Sequence, residues 1–220
     1  MSRLYVYKIR YDDGTAPHVA NGLLSLALCK PALRATAQAG DTVIAFAAKS
    51  MCADQRLVYA AVVARRFAQG TYYRASEFQR RRDCIYRWSS GAFLRKKSAT
   101  VHASDEDLVH DLGEAPGYSR ANVLVSENYR YFADTRPADH GRYPAIARLL
   151  ARLGQGHRVN HGDRLREELE RYLAHIWATT SIQDTTPSIG ADCRDRCSPP
   201  RKPLAPTAGG GVCAEPSAKV

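Results

Sequence analysis

Two apolar runs, DTVIAFAA at 41–48 and RLVYAAVVARRF at 56–67, are separated only by the polar KSMCADQ, and that spacing constrains the fold more than any other feature. Both runs are rich in the β-branched and aromatic residues that suit strands, so the pair predicts a hairpin. Just upstream, Pro31 suits the first position of a helix, where its missing N–H is not needed. ALRATAQA supplies helix formers, and Gly40 stands where a C-terminal cap wants positive φ. RLYVYKIRY (3–11) alternates as a strand does, and the apolar NGLLSLALCK suits either a strand or a helix. TYYRASEFQRRRDC predicts a short helix running into a loop, and 85–118 mostly loop with one or two short strands. ANVLVSENYRYF (121–132) predicts a strand followed by a polar, aromatic segment. Two helices follow, RYPAIARLLARL and DRLREELERYLAHIWA. The second carries Leu165, Leu169, Tyr172, Leu173, Ile176 and Trp177 on one face, with Asp163 as its expected N-cap. The fold class that results is α+β, a small curved mixed β-sheet or partial barrel with flanking helices.

Of the 220 residues 45% are hydrophobic and 25% charged, near globular averages, so a folded core is expected. From about Asp184 the chain turns to Pro, Gly, Ser and Thr and loses its large apolar residues. Such a segment buries too little surface to offset its ordering entropy. The expected organisation is one domain over 1–180 and a disordered tail over 181–220. Residues 1–20 lack the continuous apolar core of a secretory signal, and no run reaches the length of a membrane span. Six scattered cysteines without paired zinc-type spacing fit a reduced, cytoplasmic setting.

Charge is the strongest local anomaly. The net formal charge is +10 and the pI about 9.5, in the range of nucleic-acid-binding domains. Between Arg65 and Lys97 stand Arg65, Arg66, Arg74, Arg80, Arg81, Arg82, Arg87, Arg95, Lys96 and Lys97, against only Glu77 and Asp83. Phe67, Tyr72, Tyr73, Phe78, Tyr86, Trp88 and Phe93 are interleaved with them. Cations contact phosphates and aromatic faces stack on unpaired bases, so the mixture fits a nucleic-acid groove. Arg80, Arg81, Arg82, Lys96 and Lys97 are the expected phosphate contacts. A solvated loop with core aromatics would carry the same residues.

Elsewhere the signals are weaker. Tyr5, Tyr7 and Tyr11 with DDGTAPHVANG provide flat rings and small polar groups, and Asp12, Asp13, His18 and Asn21 suit the edge of a base. The same run also suits a plain turn. His157 and His161 have a metal-like spacing, but Gly156 and Gly162 bracket them and argue for a loop, so no metal is expected. Neither a phosphate-cradling glycine loop nor a dinucleotide fingerprint is present, and no cofactor is expected. Cys29 precedes Lys30, which favours a thiolate, within an apolar neighbourhood that favours a buried structural thiol.

The stretch YDDGTAPHVANGLLSLALCKPALRATAQAGDTVIAFAA, continued by RLVYAAVV and NVLVSENYRYF, resembles the nucleotide modification associated domains of bacteria and phages. The likeness rests on Asp12, Gly14, Ala16 and Pro17, on Cys29, Lys30, Pro31 and Arg34, and on Gly40 and Asp41. It departs after Pro17, where His18-Val19-Ala20 replaces an Asn-Pro-aromatic continuation, and over 85–118. The helix, Gly-Asp turn and returning strands also look like PUA, EVE and YTH barrels. The resemblance implies a link to base modification. It places Lys30, Arg34 and Asp41 beside a nucleotide site, with Asp12, Gly14, Pro17, Asn21, Ser126 and Tyr129 as its other members.

The leading expectation is therefore a module that recognises a nucleic acid or nucleotide, reading a modified base. The alternative is an enzyme acting on a nucleotide or base, with Asp12 or Asp13 as general acid/base and Cys29 or His18 assisting. A protein-interaction module with a basic docking face is the third reading.

Overall fold

The computed structural model describes residues 2–133 and 140–182. The expected tail from residue 183 onward, with Cys193, Cys197 and Cys213, lies outside the described residues.

β1 (Leu4–Ile9) pairs in parallel with β4 (Thr42–Ala47), which forms the predicted hairpin with β5 (Leu57–Val62). β10 (Asn128–Tyr131) and the short β11 (His157–Arg158) complete a mixed sheet in the order β10-β5-β4-β1-β11. A second, antiparallel sheet has the order β2 (His18–Ala20), β3 (Leu23–Leu26), β9 (Val123–Ser126), β6 (Arg65–Phe67). The ambiguous NGLLSLALCK is thus strand β3, held between β2 and β9.

The predicted long strand 56–67 is broken. After Val62 the chain leaves the first sheet, and β6 joins the second, where the Ala64 N–H donates to Val125 O at 2.8 Å. The partner segment turns the same corner at Glu127, between β9 and β10. The two sheets therefore share one bent hairpin. The α+β class and the mixed sheet are as expected, and among the described residues none of the three sheets closes into a barrel.

Alternation along the strands fills three layers. Tyr5, Tyr7, Val43, Ala45, Tyr59 and Tyr129 pack between the sheets against Leu24, Leu26 and Leu124. On the other face of the first sheet, Val6, Ile44, Phe46 and Leu57 meet α4 (Pro144–Arg152) and α5 (Asp163–Thr179) through Ile146, Leu150, Leu169, Tyr172 and Ile176. Strands covered on both faces lose their polar alternation, which explains the continuous apolar runs. α5 begins at Asp163 with Gly162, rather than Asp163, as its N-cap residue. Its buried Glu168 accepts hydrogen bonds from Ala145 N (2.6 Å) and Ile146 N, capping α4 from a neighbouring helix.

The second sheet's outer face carries α2 (Thr71–Arg74), the 3-10 turn Ser76–Phe78, the hairpin β7 (Tyr86–Ser89)–β8 (Ala92–Arg95) and α3 (Asp105–Leu112). The strands expected within 85–118 are present, and α3 is an addition there. Its start is written in a capping box, Ser104 accepting from Asp107 N while the Asp107 side chain accepts from Ser104 N.

α1 (Pro31–Thr36) is shorter than expected and ends before Gly40, which instead takes φ 86° in the turn into β4. Gly70 also has positive φ, at 72°, and a Cβ there would overlap the ring of Phe93. Gly70→Ala is expected to lower stability by about 2–4 kcal/mol through strain and overpacking, read as a shifted urea midpoint with unchanged slope.

Candidate functional site

Arg34, expected beside a nucleotide, is fully buried. Its Nε donates to Cys29 O (2.6 Å), one terminal nitrogen to Arg120 O (3.2 Å) and Asn122 O, and the other to Asp111 O (2.9 Å). The fork thus ties α1 to α3 and to the strand entering β9, and all three of its nitrogens donate to backbone carbonyls of the chain. Asp41 is likewise internal: it accepts from Arg3 N (2.8 Å), Gln38 N (2.8 Å) and the Arg3 guanidinium (2.9 Å). Burial pushes its carboxyl up, and these bonds more than reverse that, leaving it below the usual range.

Around Arg34 a cluster of chemically active side chains assembles. Cys29 sits in the turn from β3 to α1, with φ 56°, and Lys30 after it has φ 44°. Non-glycine residues rarely adopt this left-handed region, and two in succession mark a strained turn. The Cys29 Sγ lies 3.6 Å from His102 Nε2, and His102 Nδ1 lies 2.6 Å from Asp111 Oδ2. That second contact is a charge pair whose direction falls outside hydrogen-bond angles. Asp111 also accepts from Cys29 N (2.9 Å) and Tyr86 OH (3.0 Å). The Asp111 carboxylate beside it, then Cys29, raises the His102 imidazole to about 10, against the lowering effect of burial.

A second half-buried group adjoins the same turn. The Lys30 ammonium stands 5.0 Å from the centroid of the Tyr7 ring, and the Tyr7 and Tyr59 hydroxyls are 2.9 Å apart. Burial lowers the Lys30 amine, with Arg10 adding to the effect. Asp12 accepts from Tyr131 OH (2.7 Å), and burial raises its carboxyl in spite of that bond. Asp13 is exposed and caps its own turn, accepting from Thr15 N at 3.0 Å.

The other expected members of the nucleotide site are dispersed. Gly14 and the cis Ala16–Pro17 bond lie in the loop before β2, where Gly14 O receives His18 Nδ1 at 2.9 Å. Asn21 lies on the exposed β2–β3 turn and lines an open cleft of about 720 Å³ with Arg65, Glu77 and Glu127. Ser126 and Tyr129 are buried at the bent hairpin. His18 is also buried, beside an internal network in which Asp83 accepts from Ser25 Oγ (2.5 Å) and Tyr72 OH (2.8 Å). His157 packs on Tyr5, and His161 Nε2 lies 2.8 Å from Leu4 O, so the two anchor the segment before α5. Among the described residues no group of three His, Cys, Asp or Glu is placed to hold a metal ion.

The basic stretch divides in two. Arg81 donates to Ala20 O (3.0 Å), His18 O, Leu23 O and Ser25 Oγ, and Lys96 Nζ donates to Gln79 O (2.9 Å). These two expected phosphate contacts hold the fold together. Arg80, Arg82 and Lys97 are exposed, as are Arg74 and Arg87. The aromatic residues Tyr72, Tyr73, Phe78, Tyr86 and Phe93 are core, whereas Trp88 is 39% exposed with the Arg74 guanidinium 3.9 Å from its centroid.

Sequence reasoning missed His102 and Asp111. Both fall in the segment taken as loop, and the capping box at Ser104 was the available signal for the helix that carries Asp111.

These features define an α+β domain of two joined sheets, with a polar cluster at a strained strand-to-helix turn and a basic outer face. The chain belongs to the nucleotide modification associated domain 2 family, whose model matches residues 1–190. That membership links it to nucleotide modification. No curated protein and no solved structure matches the chain. Among the described residues no helix is long and apolar enough to cross a membrane.

Proposed function

We propose that the chain is a recognition module for a nucleic acid or nucleotide in base modification, with its phosphate-binding face on the unit from α2 to β8. The supporting observation is the exposed, one-signed charge of Arg74, Arg80, Arg82, Arg87 and Lys97 on that unit. Its two acids are already occupied: Glu77 lies 3.8 Å from Arg65, and buried Asp83 lies 3.6 Å from Arg81. Trp88 and the exposed Tyr11 offer ring faces for unpaired bases. Lys30, half-buried beside the Tyr7 ring, and Asp12, half-buried beside Tyr131, are the groups for the edge of a modified base. The free thiols Cys29, Cys52 and Cys84 suit a reducing, cytoplasmic setting.

Binding to single- and double-stranded oligonucleotides, measured across salt concentrations, tests the proposal. Affinity is expected to fall steeply with salt, and the R80A/R82A/R87A/K97A variant to reduce the log–log slope by about 3 on duplex DNA. A salt-independent affinity, or an unchanged slope in the variant, overturns the phosphate role.

A further inference from the structure

The geometry points to a second activity: we propose that Cys29 is a covalent nucleophile for acyl transfer, with His102 as its acid/base and Asp111 as the residue that positions His102. The substrate class is an ester or amide that also carries a negative group. Nothing in this assignment depends on the phosphate-binding face.

Three segments far apart in sequence bring the groups together in chemical order. Sγ lies 3.6 Å from Nε2, and Nδ1 forms a charge pair with a carboxylate oxygen 2.6 Å away. A nucleophile, a base within reach of it, and a third group orienting the base are the parts that activate a thiol. The turn supplies an independent sign. Cys29, Lys30 and His102 all have positive φ, at 56°, 44° and 52°, and strain of this kind collects at functional sites. A nucleophile on a strained strand-to-helix turn is held clear of its own backbone, as in nucleophile elbows. Rigidity comes from Arg34, which holds Cys29 O and Asp111 O on one guanidinium. The site is also reachable, since Cys29 is half-buried and the His102 side chain 20% exposed.

The other described thiols lack this arrangement. Cys84 is buried beside Lys96, and Cys52 donates to Asp54 Oδ1 at 3.1 Å. The charged groups around Cys29 are Lys30 and the Arg34 guanidinium on one side, with His102 and Asp111 on the other. Lys30, the cation not committed to backbone carbonyls, suits a developing oxyanion and an anionic substrate.

The thiolate of Cys29 attacks the carbonyl carbon, a C–S bond forms, and the carbonyl pair moves to oxygen. Collapse expels the alcohol or amine, which takes its proton from the His102 imidazolium and leaves a thioester. Water then gives a proton to His102 and attacks the thioester, and the C–S bond breaks to release the acid. The net reaction is hydrolysis, with water the sole co-reactant.

The test uses the full chain without nucleic acid. Iodoacetamide labelling at pH 7, mapped by peptide mass, reads thiol reactivity, and p-nitrophenyl acetate reads acylation. Cys29 is expected to label at least tenfold faster than Cys52. His102→Gln is expected to cut the ester burst about 100-fold and to bring Cys29 labelling down toward the rate of Cys52. Asp111→Asn is expected to move the pH dependence of the burst downward, since Asp111 is the main group holding the His102 proton, whereas a merely structural carboxylate would leave it in place. Should that variant fail to fold, His102→Gln still decides, because among the described residues the imidazole, 20% exposed, makes no hydrogen bond to a backbone group. Cys29→Ser is expected to abolish the burst. Equal labelling of Cys29 and Cys52, or a burst unchanged in His102→Gln, overturns the triad. Fast, His102-dependent labelling without a burst overturns acyl transfer.

Discussion

Arg34→Met is expected to destabilise the chain by about 3–5 kcal/mol, enough to unfold an ordinary domain of this size. The guanidinium is fully buried and donates to the carbonyls of Cys29, Arg120, Asn122 and Asp111, with the Asp111 carboxylate 3.7 Å away. Methionine fills the volume and satisfies none of them. Each buried carbonyl left without a donor costs about 1–3 kcal/mol, and Asp111 loses a countercharge. Arg34→Lys is expected to recover only a small part, because one ammonium cannot span acceptors that a flat fork reaches on three sides. Urea unfolding followed by circular dichroism provides the measurement. A midpoint within about 0.5 kcal/mol of wild type would return Arg34 to the nucleotide site that the family resemblance implied.

A large pH effect should come from His102. Its folded value of about 10 exceeds the ordinary 6.5, so the native state binds the proton more tightly than the unfolded chain. The stabilisation is fully present below pH 6.5 and is lost as pH rises through about 10. Discounted for the partial exposure of the ring, the loss is on the order of 2–3 kcal/mol. Unfolding free energy measured from pH 6 to 10 should therefore fall in wild type and stay flatter in His102→Gln. Cys29→Ser should keep most of the slope, since Asp111 contributes first and Cys29 second. Parallel slopes in wild type and His102→Gln would mean that the imidazole is not paired with Asp111.

Much of the fold was readable because its signals are local. The β4–β5 hairpin follows from two apolar runs and a short polar spacer, and α5 from six apolar residues at helical spacing. The Gly40 turn needs only one residue that tolerates φ 86°. The break at Val63–Ala64 was invisible, since a strand changing sheets keeps the same alternating, β-branched composition on both sides. α3 was missed for the opposite reason. Its Asp105, Glu106 and Asp107 suit a helix N-terminus but dilute the apolar pattern by which a helix is recognised.

The candidate site was legible only in part. Lys30 and Asp12 were singled out and lie beside Tyr7 and Tyr131 at one end of the first sheet. Arg34 and Asp41 were singled out as well, yet their charges face the chain's own backbone and Arg3. Charge in a sequence says that a partner exists; whether it is a phosphate or a carbonyl depends on what the fold places within about 3 Å.

The sequence by itself determined the α+β class, the hairpin, the helical C-terminal pair, the family and the basic stretch, all properties of neighbouring residues. Only the tertiary structure decided which cations are exposed, that Arg34 is an internal clamp, and that Cys29, His102 and Asp111 meet. Cys29 and His102 are separated by 73 residues, and no local rule of composition or period links such positions. They are joined by the burial of one guanidinium and one carboxylate, which forces α1, α3 and the strand into β9 to close around the same point.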